Sequence, residues 1–149
     1  MSVVPTIPCA ACGALNRVPE ARLGTPARCG RCKAPLGAPG VPLAVTDATF
    51  DTAVLGASLP VLLDCWAAWC APCRAVAPTI DALAREWAGR VLVAKLDVDA
   101  NPRVAAQLGI QSIPTLLILD RGRVVDRMVG AQPRPAIEAR LRSLVRAAG

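Results

Sequence analysis

The chain has 149 residues, 54% of them hydrophobic and 19% charged, with a net charge of +6 and neither histidine nor tyrosine. That balance describes a packed globular protein with room for one ordinary domain and a small module, and it excludes disorder as the organising state. The missing histidine excludes Ser/His and Cys/His catalysis and mixed Cys/His metal sites, so any tetrahedral metal site here must be sulfur-rich.

No apolar run approaches the roughly 20 residues that a spanning helix needs. Met1–Pro8 lacks the basic and apolar regions of a secretory leader. The expected setting is therefore the reducing cytoplasm, away from membranes, where free thiols and thiolate–metal sites persist.

Residues 1–36 hold few large apolar side chains, too few for a self-sufficient core. Cys9-x2-Cys12-x16-Cys29-x2-Cys32 supplies a staple, at the spacing of a four-cysteine zinc site. We read it as one structural zinc ion on a zinc-ribbon module; a site that releases metal on oxidation, or disulfides alone, are the alternatives. Gly13 and Gly30 each directly follow a cysteine, where glycine eases the turn of a knuckle. Residues 1–45 carry five basic groups and one acid, a net of +4, against +2 for the rest of the chain. No aromatic side chains interleave these cations for base stacking, so they read as compensation for four thiolates. Nucleic acid is not an expected partner.

Ala34–Pro42 contains three prolines, two glycines and no charge. Its second part, residues 37–42, is read as a fairly stiff linker to a domain spanning 43–149. Within that domain Thr46 caps a short helix through about Leu55. Val61–Trp66 is a nearly continuous apolar run, the mark of a strand covered on both faces. From Cys73 to Ala88 an apolar stripe of Val76, Ile80, Leu83 and Trp87 predicts a helix, with Gly89 as its stop. Pro78 inside it removes one hydrogen bond and is expected to kink the axis. Val91–Leu96 predicts a second buried strand. Asn101-Pro102 offers an N-cap and first-turn proline for a short helix ending near Gly109. Thr115–Leu119 predicts a third strand, and Asp120–Arg123 a hairpin turn into Val124–Val129. Ile137, Leu141, Leu144 and Val145 mark a final amphipathic helix.

Trp69-Cys70-Ala71-Pro72-Cys73 places two thiols one helical turn apart, directly after a buried strand. Such a pair reads as a redox couple. Cys70 should lie at the N-terminus of the helix that begins near Pro72, where free N–H groups and the helix dipole favour a thiolate. Cys73, the more buried thiol, would attack the mixed disulfide from a tethered position. Its proton needs an acceptor, and Asp64 within the apolar run is the candidate general base: burial should raise its pKa toward neutrality. Cys65 reads as a small core residue rather than a third redox thiol.

Four stretches in order, Val61–Cys73 (VLLDCWAAWCAPC), Val93–Pro102 (VAKLDVDANP), Gly109–Leu117 (GIQSIPTLL) and Gly130, resemble the thioredoxin family over essentially all of the chain from Leu43 onward. With the four-cysteine module in front, the whole resembles the bacterial zinc-ribbon thioredoxins. The resemblance implies an α/β thioredoxin fold, a central mixed sheet flanked by helices, and a thiol–disulfide oxidoreductase that reduces protein disulfides. It implies client proteins with disulfides, re-reduction by an NADPH-dependent thioredoxin reductase, and no bound organic cofactor. It also implies a Cys70 thiol held below the usual cysteine range. Lys95 matches a strand lysine near the Asp64 carboxylate, and Pro114 matches a cis proline facing the thiols. Trp69, Ala71, Pro72, Ile113, Pro114 and Gly130 would form the substrate contact surface. Ala71 stands where most thioredoxins have glycine, and Cys65 where an aromatic residue is usual. A zinc-dependent redox-sensing chaperone or binding module is the alternative function.

Overall fold

The computed structural model describes residues 6–9, 12, 14–17, 27–34, 40–57 and 59–148. Gly13 and most of the proline-rich linker lie outside the described residues.

Strands β1 (Thr6–Pro8) and β2 (Leu15–Arg17) pair antiparallel, Ile7 opposite Asn16. Cys9 and Cys12 lie between them, and the Cys9 N–H donates to the Ala14 carbonyl at 2.9 Å. A second knuckle repeats the device, the Cys29 N–H donating to the Ala34 carbonyl at 2.9 Å.

From Leu43 onward a five-stranded sheet dominates. It comprises β3 (Leu43–Val45), β4 (Val61–Trp66), β5 (Leu92–Asp97), β6 (Thr115–Asp120) and β7 (Arg123–Val129), in the order β3-β5-β4-β6-β7. β5 runs parallel to both β3 and β4, whereas β6 pairs antiparallel with β4 and β7, giving the mixed sheet that the family resemblance implies. Helices α1 (Ala71–Glu86) and α3 (Arg134–Ala148) cover one face. There Leu62, Leu116 and Ile118 meet Val76, Ile80 and Leu83 of α1 and Ile137 and Leu141 of α3. Helix α2 (Pro102–Gln107) and a turn over Asp51–Leu55 cover the other, where Leu63, Cys65 and Leu117 pack with Val104, Phe50 and Val54. Side chains alternate across a strand, so burial on both faces accounts for the unbroken apolar run at β4. This is the thioredoxin fold.

Several local expectations shift. The helix expected over Thr46–Leu55 is a turn at 47–49 followed by a π-helical segment, with the Gly56 N–H reaching back to the Asp51 carbonyl at 3.0 Å. Helix α1 runs unbroken through Pro78 and ends at Glu86, three residues before Gly89, whose φ of +84° belongs to the turn that follows. Asn101 is the N-cap residue of α2 as expected, but its side chain makes no capping hydrogen bond. Its Oδ1 accepts the Asp47 N–H at 2.9 Å, and its Nδ2 donates to the Asp97 carbonyl at 3.1 Å. Asp47 takes the capping role instead, its carboxylate accepting the N–H groups of Arg103 at 3.2 Å and Val104 at 2.9 Å. The hairpin between β6 and β7 turns on Arg121 and Gly122, both at positive φ (52° and 80°), the conformation that suits the twist of paired strands.

Candidate active site and metal centre

The end of β4 feeds a short loop, 67–70, that delivers Cys70 to the start of α1. Cys70 is the N-cap residue, with extended backbone (φ −89°, ψ 108°), and its Sγ accepts the Cys73 N–H at 3.2 Å. A sulfur thus occupies the place where helices ordinarily put a hydroxyl or carboxylate oxygen. Pro72 lies in the first turn, where no N–H is needed. Cys70 and Cys73 are joined as a disulfide with their Cα atoms 5.3 Å apart. In this oxidised state both are 3% exposed, so the expected difference in burial between them is not seen.

Two side-chain hydrogen bonds latch the loop. The Arg74 guanidinium donates to the Ala68 carbonyl at 2.8 Å. The Trp69 indole N–H donates to Asp99 Oδ2 at 2.7 Å, which fixes a ring that is 69% exposed. Asp99 is itself set by Asp97, whose Oδ1 accepts the N–H groups of Asp99 at 3.0 Å and Ala100 at 3.2 Å. Neither latch was singled out in the sequence. Asp97-x-Asp99 carries an Asx-turn signal that points to it, whereas nothing local marks Arg74.

Ala67, Cys70 and Cys73 form a small apolar cluster against Trp66, Val98 and Ile113. The Ile113–Pro114 bond is cis. The Thr115 hydroxyl donates to the Ser112 carbonyl at 2.6 Å, and the Gly130 N–H to the Pro114 carbonyl at 2.8 Å. Gly130 has φ +89°, and a Cβ there would find nothing within 4 Å. Its backbone conformation, rather than crowding, calls for glycine. Ala71 and Pro72 are exposed.

Asp64 lies directly opposite Lys95 on β5 and Leu116 on β6. It is 1% exposed, and neither carboxylate oxygen accepts a hydrogen bond among the described residues. Alternation along β4 puts it on the face that α1 covers, with Leu62. Desolvation raises its pKa to about 6; Lys95 opposes the shift and Asp81 adds to it. Lys95 directs its ammonium to the Trp66 ring, 4.9 Å from the centroid, so the lysine tempers the carboxylate without pairing to it. Cys65, on the opposite face, is fully buried; desolvation, reinforced by Asp64 and opposed by Arg127, pushes its thiol up to about 12. At neutral pH it stays a thiol within the core.

Cys9, Cys12, Cys29 and Cys32 bring their four Sγ atoms within 4.8 Å of one another. Cys9 lies 3.6 Å from Cys32, and Cys12 3.6 Å from Cys29. Zinc–sulfur bonds of about 2.3 Å at tetrahedral angles place sulfurs about 3.8 Å apart, so the quartet fits that ion. The chemistry of the donors fits as well. Backbone N–H donation from Cys32 and then Arg31 outweighs burial and lowers the Cys29 thiol to about 6. At Cys12 the Ala14 N–H favours the thiolate, but burial and the neighbouring sulfurs prevail and push it up to about 11. Four sulfurs this close ionise together only around a cation.

Comparison with known proteins agrees with both halves. The family model described as "Thioredoxin" matches residues 41–143, and one described as "Thioredoxin 2, N-terminal" matches residues 8–34. A thioredoxin 1 from Synechococcus elongatus is 53% identical over 97 residues, covering 65% of this chain and 91% of that protein. A thioredoxin 1 from Nostoc sp. is 50% identical over the same length and shares of each chain. A thioredoxin from Haemophilus influenzae is 48% identical over 92 residues, covering 62% of this chain and 86% of that protein.

Proposed function

Because the chain belongs to the thioredoxin family and is a thiol–disulfide oxidoreductase, we propose that it acts as a cytoplasmic reductant of protein disulfides, recharged by an NADPH-dependent thioredoxin reductase. The observation that carries this reading is the Cys70 sulfur at the N-cap of α1, accepting the Cys73 N–H. A thiolate there meets a backbone donor and the positive end of the helix dipole.

In the reduced protein the Cys70 thiolate attacks one sulfur of a client disulfide. A new S–S bond forms, the client bond breaks, and the second client sulfur leaves as a thiolate that takes a proton from solvent. Cys73 then gives its proton to the Asp64 carboxylate and attacks the Cys70 sulfur. The mixed disulfide breaks, the released client sulfur leaves as a thiolate that takes a proton from solvent, and Asp64 gives its proton back to solvent. The client departs with two thiols and the protein is left with the Cys70–Cys73 disulfide. Two electrons have passed to the client, and two must return from the reductase. Asp64 suits the transfer because its pKa, raised to about 6, lies near working pH. Trp69, Ala71, Pro72, Ile113, Pro114 and Gly130 form the contact surface in this reading, with the Ile113 backbone offered to an extended client segment.

Domain limits at 1–36, 37–42 and 43–149 accompany the proposal. Cys9, Cys12, Cys29 and Cys32 hold one zinc ion, which supplies a tetrahedral clamp that folds the ribbon and takes no part in electron transfer. The catalytic half needs no organic cofactor of its own. Among the described residues no helix is long and apolar enough to cross a membrane.

Insulin reduction coupled to NADPH oxidation through thioredoxin reductase tests the reading. Turnover that disappears in Cys70→Ser and Cys73→Ser variants is expected. NADPH consumption unaffected by either substitution would overturn it.

A further inference from the structure

Asn16 belongs to neither the dithiol nor the sulfur quartet, yet its side chain touches both knuckles. It projects from β2, directly after the first knuckle. Its Nδ2 donates to the Ala14 carbonyl at 3.1 Å, the same carbonyl that receives the Cys9 N–H. Its Oδ1 accepts the Gly30 N–H at 2.8 Å, inside the second knuckle. One planar group thus joins the turn that carries Cys9 and Cys12 to the turn that carries Cys29 and Cys32. β1 and β2 are three residues each, and among the described residues the Asn16 side chain is a direct hydrogen-bonded link between the two knuckles.

We infer that Asn16 is the positioning residue of the metal centre, bracing the two knuckles at the separation the ion requires. This rests on the zinc reading above. Groups that orient ligands from outside the coordination sphere typically matter by about 10- to 100-fold in metal affinity. Donor and acceptor arms separate cleanly by substitution. Asn16→Ala removes both, whereas Asn16→Asp keeps an acceptor for the Gly30 N–H but loses the N–H donors and places an anion beside a thiolate.

The experiment uses the full chain loaded with Zn²⁺, and then with Co²⁺. Zinc content is measured first, then zinc transfer to an excess of a chromogenic chelator, and then cobalt titration through the sulfur-to-metal charge-transfer and ligand-field bands. We expect one zinc per wild-type chain. Asn16→Ala should bind metal about 10- to 100-fold more weakly and release it correspondingly faster, and Asn16→Asp should lose at least as much. Both should reach the tetrahedral tetrathiolate spectrum at saturating cobalt, which shows the quartet still assembles.

Failure can take distinct forms. A metal-free wild type would overturn the zinc reading and this inference together. A zinc-bound wild type with Asn16→Ala within twofold of it would overturn the inference alone, as would Asn16→Asp behaving like wild type. Loss of the tetrathiolate spectrum at any cobalt concentration in both variants would make Asn16 a folding residue, and the positioning role would fall.

Discussion

The chain holds sulfur in two settings built by opposite means. In the ribbon, cysteines stand where a core would be: Cys9 and Cys29 are fully buried, in a segment whose sequence holds few large apolar residues. In the catalytic half, a core already closed on both faces of the sheet carries two cysteines at its edge, in a cluster with Ala67, Trp66, Val98 and Ile113. On the zinc reading proposed above, the first set must stay still for its region to exist. The second can open and close because its scaffold does not depend on it. The same Cys-x2-Cys spacing therefore serves permanence in one place and turnover in the other, and what surrounds it decides which.

The sharpest way to break that contrast is to withdraw metal. Structural zinc contributes on the order of 10–16 kcal/mol to small modules of this kind. A chelator should abolish amide-exchange protection over β1, β2 and the second knuckle while β4, β5 and β6 keep theirs. Protection lost in both regions at one chelator concentration would show that the catalytic half leans on the ribbon.

Next in size is the loss of the nucleophile. Cys70→Ser should lower disulfide reduction by on the order of 10³-fold or more, since no other thiolate is poised at a helix N-terminus. Zinc content should stay at one per chain. A fall in bound zinc in this variant would mean that the two sulfur sets exchange, against the division drawn here.

Asp64 sharpens the comparison from the side of stability. Its pKa is raised from 3.8 to about 6 by burial, so the folded state favours the proton more than the unfolded state does. Stability is highest below pH 3.8 as far as this group is concerned, and falls as pH rises from about 4 to 6. The loss amounts to about 3 kcal/mol at pH 7. Asp64→Asn should remove that decline and unfold at higher denaturant concentration at pH 7, while slowing release from the mixed disulfide. A variant that is more stable but equally fast would leave Asp64 a burdened core residue and strip it of its proposed role as base.

Much of this was legible in the chain. Residues 61–66 announced a strand covered on both faces because neither parity of the alternation is polar, Asp64 excepted, and that one exception marked the buried carboxylate. The Cys-x2-Cys repeats announced a tetrahedral cluster because the knuckle is a local structure. Contacts between distant residues were not legible. Asn101 has the composition of an N-cap, but its side chain bonds the backbone of Asp47 and Asp97. The exposure of Trp69 and the partial burial of Trp66 beside Lys95 depend on β5 and the turn after it, 30 residues on, where Asp99 holds the Trp69 indole. The Asn16 brace spans 14 residues between two turns and carries no local pattern.

The smallest effect tests the claim that the catalytic half closes itself without metal. Asp47 follows the edge strand β3 and caps α2 from across the fold, accepting two N–H groups while its own carbonyl accepts the Arg103 guanidinium. Its backbone N–H binds Asn101, so loop and helix are joined reciprocally. Losing such a cap costs about 0.5–2 kcal/mol. Asp47→Ala should lower the unfolding free energy of the catalytic half by that amount, seen as a lower urea midpoint with an unchanged slope, and zinc should not restore it. Asp47→Asn, which keeps one acceptor oxygen, should recover part of the loss. Recovery by added zinc in the alanine variant would tie this corner of the fold to the ribbon and dissolve the separation between a region that metal builds and one that packing builds.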